Sequence, residues 1–185
     1  QKEAKLNFIS IERFPLALED LEKALANFPD LNYETKDLLQ LYPPLSRGFH
    51  RINFEEDNVS LTLIFDDVDR GLDDLQKTTK TFDAWFLDGF SPRENPKMWS
   101  SKILSGISNL SHSETTLSSF SAASIIKKSL EENDFNISLV DGYKHKRHMI
   151  KACSNSSNIK SNSNRKKIAI VGAGISGSCL ANSLA

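Results

Sequence analysis

The residues whose types and spacing could do chemistry are concentrated at positions 82–99, FDAWFLDGFSPRENPKMW. An apolar run stops there at an acid, Asp88. Gly89, Pro92 and Pro96 then impose an irregular loop carrying Phe90 and Asn95, and a helix begins near Trp99. A carboxylate at the end of a buried strand, followed by a shaped loop, is how open α/β sheets commonly build a site. Asp88 is thus a candidate for holding a reacting group or accepting its proton. A strand, turn and helix with no chemistry would read the same way.

Two more acidic positions end strand-like runs. Residues 6–11, LNFISI, read as a short buried strand that stops at Glu12. A carboxylate so placed accepts two hydrogen bonds at once, which suits ribose hydroxyls; a plain surface acid near a helix start is the commoner case. Residues 59–65 end in Asp66 and Asp67, where a carboxylate could accept a hydrogen bond from an adenine amino group. The alternative for Asp67 is a helix N-cap, since a short helical stretch ending near Leu75 follows it.

The elements that must position these acids follow from periodicity. Leu18, Leu21, Leu25 and Phe28 recur at helical spacing after Pro15, which predicts an amphipathic helix over 16–28. A second helix at 33–42 ends at Pro43 and Pro44. Residues 49–54 and 59–65 alternate on either side of 55–58 and predict a hairpin. A strand over 82–87, a helix over 99–110, a strand over 115–120 and a helix over 122–133, with Ile125, Ile126 and Leu130 inward, come next. Residues 137–140 and 145–152 look like a closing pair of strands around Gly142. This order predicts an α/β fold: a doubly wound, mostly parallel sheet with helices on both faces and an antiparallel finish.

From Cys153 the chain turns polar and rich in Ser and Asn (CSNSSNIKSNSN), the composition of a linker. Then comes KKIAIVGAGISGSCLANSLA. Residues 168–171 read as a buried strand, and Gly172, Gly174 and Gly177 fit G-x-G-x-x-G ahead of a helical pattern. Between a strand and a helix this is the dinucleotide fingerprint: the glycines allow a tight turn and close backbone approach, and the helix N-terminus faces a pyrophosphate.

The bulk numbers fit a globular chain. Its 185 residues suffice for one sizeable domain, with 39% hydrophobic and 25% charged residues. The net charge of −1 hides a split: residues 1–140 hold 15 Lys and Arg against 23 Asp and Glu, while residues 141–185 hold 8 against Asp141 alone. That contrast suggests a basic surface for phosphates near the end, or a solvated linker kept soluble by its charge. Cys153 and Cys179 lie far apart, with neither a disulfide framework nor zinc spacing, which fits a cytoplasmic setting. No run is long and apolar enough for a membrane span, and no signal peptide is visible. The first residue is Gln1 and the last residues run in a helical pattern without a stop signal, so a piece of a longer protein is expected.

The segments IERFPL, YPPL, GFHR, TLIFDDV, DAWFLDGFSP, NPKMW and IAIVGAG, in this order, resemble the bifunctional tRNA 5-methylaminomethyl-2-thiouridine biosynthesis proteins, the MnmC family. The resemblance covers nearly the whole chain and is most specific at 83–99. It implies an S-adenosylmethionine-dependent methyltransferase domain over 1–152, a linker over 153–165 and the start of an FAD-dependent oxidoreductase domain over 166–185. The family's own glycine-rich cofactor loop is expected upstream of Gln1. In the family, the flavin domain removes a carboxymethyl group from a wobble-uridine side chain, and the methyltransferase then methylates the exposed aminomethyl nitrogen.

The resemblance also implies roles. Asp88 would orient the amine. Phe90, Pro92 and Asn95 would shape the pocket for the flipped-out uridine, with Phe90 stacking on the base or packing under the loop. Glu12 would hold the cofactor ribose and Asp67 its adenine. Lys144, Lys146 and Arg147 would contact tRNA phosphates, and Gly172, Gly174 and Gly177 the FAD pyrophosphate. His145 and His148 flank the basic turn without a third ligand candidate, so no metal is expected. Trp85 and Trp99 are expected in the core. Two rival readings stand beside this one: a flavin or nicotinamide oxidoreductase with a non-catalytic first domain, and an inactive RNA-binding remnant.

Overall fold

The structure is a computed structural model that describes residues 5–78, 81–88, 92–142, 147–158 and 165–171. Its strands are β1 (Lys5–Glu12), β2 (Gly48–Phe54), β3 (Val59–Phe65), β4 (Phe82–Leu87), β5 (Ser111–Ser119), β6 (Phe135–Asp141), β7 (His148–Ser154) and β8 (Arg165–Val171). The helices are α1 (Leu18–Leu25), α2 (Asn32–Leu41), α3 (Val68–Thr78), α4 (Ser101–Asn109) and α5 (Ser124–Glu131). The strands form one sheet in the order β2-β3-β1-β8-β4-β5-β7-β6. β3, β1, β8, β4 and β5 run parallel, β2 is antiparallel to β3, and β7 is antiparallel to both β5 and β6. The doubly wound, mostly parallel sheet with an antiparallel finish is therefore what the chain forms.

Period-2 alternation sorts the strand side chains onto two faces. Ile9 and Ile11 of β1, Trp85 and Leu87 of β4, and Ala169 and Val171 of β8 belong to the main core with α3, α4 and α5. Phe8, Ala84, Phe86, Ile168 and Ile170 form a smaller cluster on the other face. Gly71 lets α3 lie close on β1, since a Cβ there would sit 3.1 Å from the Ile11 side chain. Trp85 is fully buried and donates its indole N–H to Ser111 Oγ at 3.0 Å; Trp99 is 3% exposed. Both tryptophans are core, as expected.

Three local expectations need correction. Helix α1 spans only Leu18–Leu25 and fully buries none of its residues, with Leu18 47% exposed, because it packs beside α2 and covers its apolar stripe only in part. In α5, Ile126 and Leu130 point inward but Ile125 is 60% exposed, since residues adjacent in a helix are 100° apart and cannot share one narrow face. The polar stretch begins later than Cys153, because Cys153 and Ser154 still pair within β7 opposite Asn136 and Phe135.

Strand β8 lies inside the one sheet, parallel to β1 on one side and to β4 on the other.

Candidate site at the carboxyl edge of the sheet

Because β1, β3 and β4 are parallel, the residues that end them share one edge. Glu12 closes β1 opposite Phe65 of β3, so Asp66 and Asp67 follow beside it. Asp88 follows β4, and its main-chain N–H donates to the carbonyl of Val171 at 3.0 Å. Glu12 and Asp88 thus flank the end of β8, two strand spacings apart, about 10 Å by ordinary sheet geometry. The three acids singled out in the sequence are brought to one edge.

Each sits in a different environment. Glu12 is half-buried, and its Oε1 accepts the Phe14 N–H at 2.7 Å. Burial raises its pKa above the usual carboxylate value, against hydrogen bonds from the Phe14 and Arg13 amides that lower it. A carboxylate so desolvated gains from additional hydroxyl donors, so Glu12 fits a ribose diol. Tyr42 stands close by: burial, and then the charge of Glu12, push its phenol pKa up. Its hydroxyl donates to the Leu16 carbonyl at 3.0 Å, and its ring packs 6.3 Å from that of Phe65. His50 also packs on Phe65, with ring centroids 4.8 Å apart.

Asp66 and Asp67 divide their roles. Arg47 grips Asp66 with two hydrogen bonds, 2.6 Å from Nε and 2.5 Å from Nη2, and holds that carboxyl below the usual range. Asp67 lies 3.0 Å from Arg13 Nη1. It directly precedes α3, and its carbonyl accepts the Gly71 N–H at 3.0 Å, the N-cap position that was the alternative reading. Arg47 and Tyr42 escaped the sequence reading. The hairpin pairing offered one signal: with Gly48 opposite Phe65, the residue before β2 must face the residue after β3, which sets Arg47 against Asp66.

Beyond Asp88, Pro92 and Asn95 are half-buried, and Asn95 leads into a short 3₁₀ turn, Pro96–Trp99, whose Met98 and Trp99 anchor in the core. Arg147 is exposed in the connection between β6 and β7, and its carbonyl accepts the Gly142 N–H. β6 runs parallel to β5, so Arg147, which leads into β7, lies at the same edge as Asp88, two strand spacings or about 10 Å away. Phe90, Lys144, Lys146, Gly172, Gly174 and Gly177 lie outside the described residues. Among the described residues no group of three or more His, Cys, Asp or Glu could hold a metal ion, and no helix is long and apolar enough to cross a membrane.

A family model described as S-adenosyl-L-methionine-dependent methyltransferase matches residues 29–155. The tRNA 5-methylaminomethyl-2-thiouridine biosynthesis bifunctional protein MnmC of Acinetobacter baylyi is 40% identical over 188 residues, covering 97% of this chain and 30% of that protein. The protein of the same name from Marinobacter nauticus is 40% identical over 187 residues, covering 100% of this chain and 29% of its own length. This chain therefore spans less than a third of the curated relatives it matches. Among solved structures, the crystal structure of MNMC2 from Aquifex Aeolicus matches with a TM-score of 0.58 at 19% identity, over 95% of this chain and 48% of that one, a likeness of fold.

Proposed function

Because this chain belongs to the MnmC-type family of S-adenosyl-L-methionine-dependent methyltransferases, we propose that its sheet edge methylates an amine on a tRNA wobble uridine. The reaction converts 5-aminomethyl-2-thiouridine to 5-methylaminomethyl-2-thiouridine. The observation that carries the reading is the meeting of Glu12 and Asp88 at one sheet edge, on either side of its central strand.

S-adenosylmethionine, when bound, supplies a methyl group on a positively charged sulfur. The chain's own residues do the rest. Glu12 binds the ribose hydroxyls, its charge already short of solvent. Asp67 meets the adenine from beside Arg13. Asp88 orients the amine so that its lone pair faces the methyl carbon, and alignment of this kind supplies much of the acceleration in such displacements. A carboxylate is a weak base towards an amine, so its part is orientation and electrostatic stabilisation more than full deprotonation. Phe90, Pro92 and Asn95 shape the uridine pocket. Lys144, Lys146 and Arg147 contact phosphates, which position the RNA without reading its sequence.

In the longer protein this step follows FAD-dependent removal of a carboxymethyl group from 5-carboxymethylaminomethyl-2-thiouridine, with Gly172, Gly174 and Gly177 as first contacts to the flavin dinucleotide. Such an enzyme works in the cytoplasm, where its tRNA is. The test is transfer of a tritiated methyl group from S-adenosylmethionine to tRNA carrying 5-aminomethyl-2-thiouridine, using the complete protein. Label on the wobble nucleoside is the expected result; no label on that tRNA would overturn the assignment.

A further inference from the structure

Two acids in succession follow β3, and their surroundings give them different work. Asp66 is occupied within the protein. Its carboxyl accepts hydrogen bonds from Arg47 Nε at 2.6 Å and Nη2 at 2.5 Å, and its Oδ1 also accepts the main-chain N–H of Asp67 at 2.6 Å. Its side chain is only 15% exposed. The Asp67 side chain is 42% exposed and lies 3.0 Å from Arg13 Nη1. Of the two, Asp67 is the one that can turn a carboxylate oxygen to a ligand.

Arg47 acts on Asp67 through Asp66. The Asp67 N–H is held by the Asp66 carboxyl, and the Asp67 carbonyl accepts the Gly71 N–H at 3.0 Å. With the peptide groups on both sides fixed, the direction of the Cα–Cβ bond is fixed too. The planar fork of a guanidinium matches a carboxylate at two points, so Arg47 sets the plane of the Asp66 carboxyl as well as its distance.

The fold places Arg47 with the same care. Gly48 lies opposite Phe65 in the hairpin, which brings Arg47 against Asp66. Gly48 takes a φ of +126°, a conformation that L side chains rarely adopt, so a glycine is needed for the chain to enter β2 directly after Arg47. The segment before it is tied down. The Ser46 N–H donates to the Pro44 carbonyl at 2.7 Å, and His50 Nε2 donates to the Ser46 carbonyl at 2.6 Å while its ring packs on Phe65. A carbonyl only accepts, so Nε2 carries the proton.

We propose that Arg47 is a positioning residue of the cofactor site: through Asp66 it holds the Asp67 carboxylate in place for an adenine amino group, and so makes the site select adenine over hypoxanthine. This role rests on the methyltransferase reading and on Asp67 as its adenine contact. A carboxylate only accepts hydrogen bonds. Adenine offers it an amino group, whereas hypoxanthine presents a carbonyl oxygen at the same position, and two facing acceptors repel. A carboxylate free to swing away would escape that repulsion, so selectivity needs the acid held.

The test measures binding of S-adenosylhomocysteine and of its hypoxanthine counterpart, S-inosylhomocysteine, to the complete protein by calorimetry. Wild type is compared with Arg47→Ala and Arg47→Lys. The wild type should prefer the adenine compound by about tenfold or more. In Arg47→Ala the adenine compound should bind about tenfold more weakly and the hypoxanthine compound should change by less than about threefold, so the preference falls. Arg47→Lys keeps the charge and loses the two-point grip; its preference should fall by at least about threefold, and it decides the matter should the alanine variant fail to fold. A preference unchanged in either folded variant would overturn the inference, because a role in stability alone weakens both compounds alike. A wild type that binds both compounds equally would also overturn it and remove Asp67 from the adenine, leaving the methyltransferase reading standing. A wild type that binds neither would overturn the inference and the reading together.

Discussion

The main-chain N–H of Asp88 donates to the carbonyl of Val171 at 3.0 Å, joining the end of β4 to the end of β8. The bond uses backbone only, so the Asp88 carboxyl can be changed without cutting it. Asp88→Ala should lower methyl transfer by about 10²–10⁴, the range for a lost positioning and proton-accepting group. S-adenosylmethionine affinity should stay within about threefold. Single-turnover transfer of labelled methyl, paired with calorimetry, separates the two; wild-type transfer rates would remove Asp88 from the site.

Glu12 carries a pH signature. Burial raises its pKa in the folded state, so the folded protein holds this proton more tightly than the unfolded chain. Stability from this group is present below the unfolded pKa and is lost as pH rises through the folded one. Glu12→Gln should therefore melt higher than wild type at pH 7 and converge with it at pH 3–4. The same change should weaken S-adenosylmethionine binding by about tenfold, since one charged acceptor is lost. Melting curves across pH check the first half and calorimetry the second.

The Arg47–Asp66 pair acts in the opposite direction. Arg47 depresses the Asp66 pKa, so its stabilisation is present above the unfolded carboxylate pKa and is lost as pH falls through the folded one. Arg47→Ala should lower the melting temperature at neutral pH and flatten the acid limb of the stability curve. An unchanged acid limb would show that the pair does not hold the hairpin to β3's end.

Trp85 tests the core beneath the site. Trp85→Ala removes a fully buried ring that packs at a tilt against Phe82, centroids 4.7 Å apart, and should cost about 3–5 kcal/mol. Ser111→Ala instead leaves the indole N–H without its 3.0 Å acceptor and should cost about 1–3 kcal/mol. Chemical denaturation measures both.

The basic connection between β6 and β7 makes a prediction about salt. tRNA affinity of the complete protein should fall linearly with log salt, because phosphate contacts release counterions. Arg147→Ala should reduce the slope by about 1 and weaken all tRNAs alike. Filter binding at several salt concentrations reads both; a flat response would argue against this edge as the RNA surface.

Much of this site is legible without coordinates. Alternating apolar runs ending in Glu12, Asp67 and Asp88 announce strands with acids at their carboxyl ends, and a local pattern suffices because strand periodicity is local. Helix–strand alternation then forces those ends onto one edge, since parallel strands joined by crossovers all point the same way. Proline and glycine mark the loop after Asp88 for equally local reasons.

What the sequence alone left open concerns partners distant along the chain. The apolar stripe of α1 looks like a core face, yet burial depends on the covering element, and beside α2 none of its residues is fully buried. Arg47 looks like a loop cation until the hairpin register sets it on Asp66. Residues 168–171 declare themselves a buried strand but not whose neighbour they are: Ile, Ala and Val pack equally well between any two parallel strands. By itself the sequence determined the elements, the acids and the edge they share. Tertiary structure alone decided that β8 stands between Glu12 and Asp88, because strand pairing is settled by backbone hydrogen bonds and packing that no local pattern encodes.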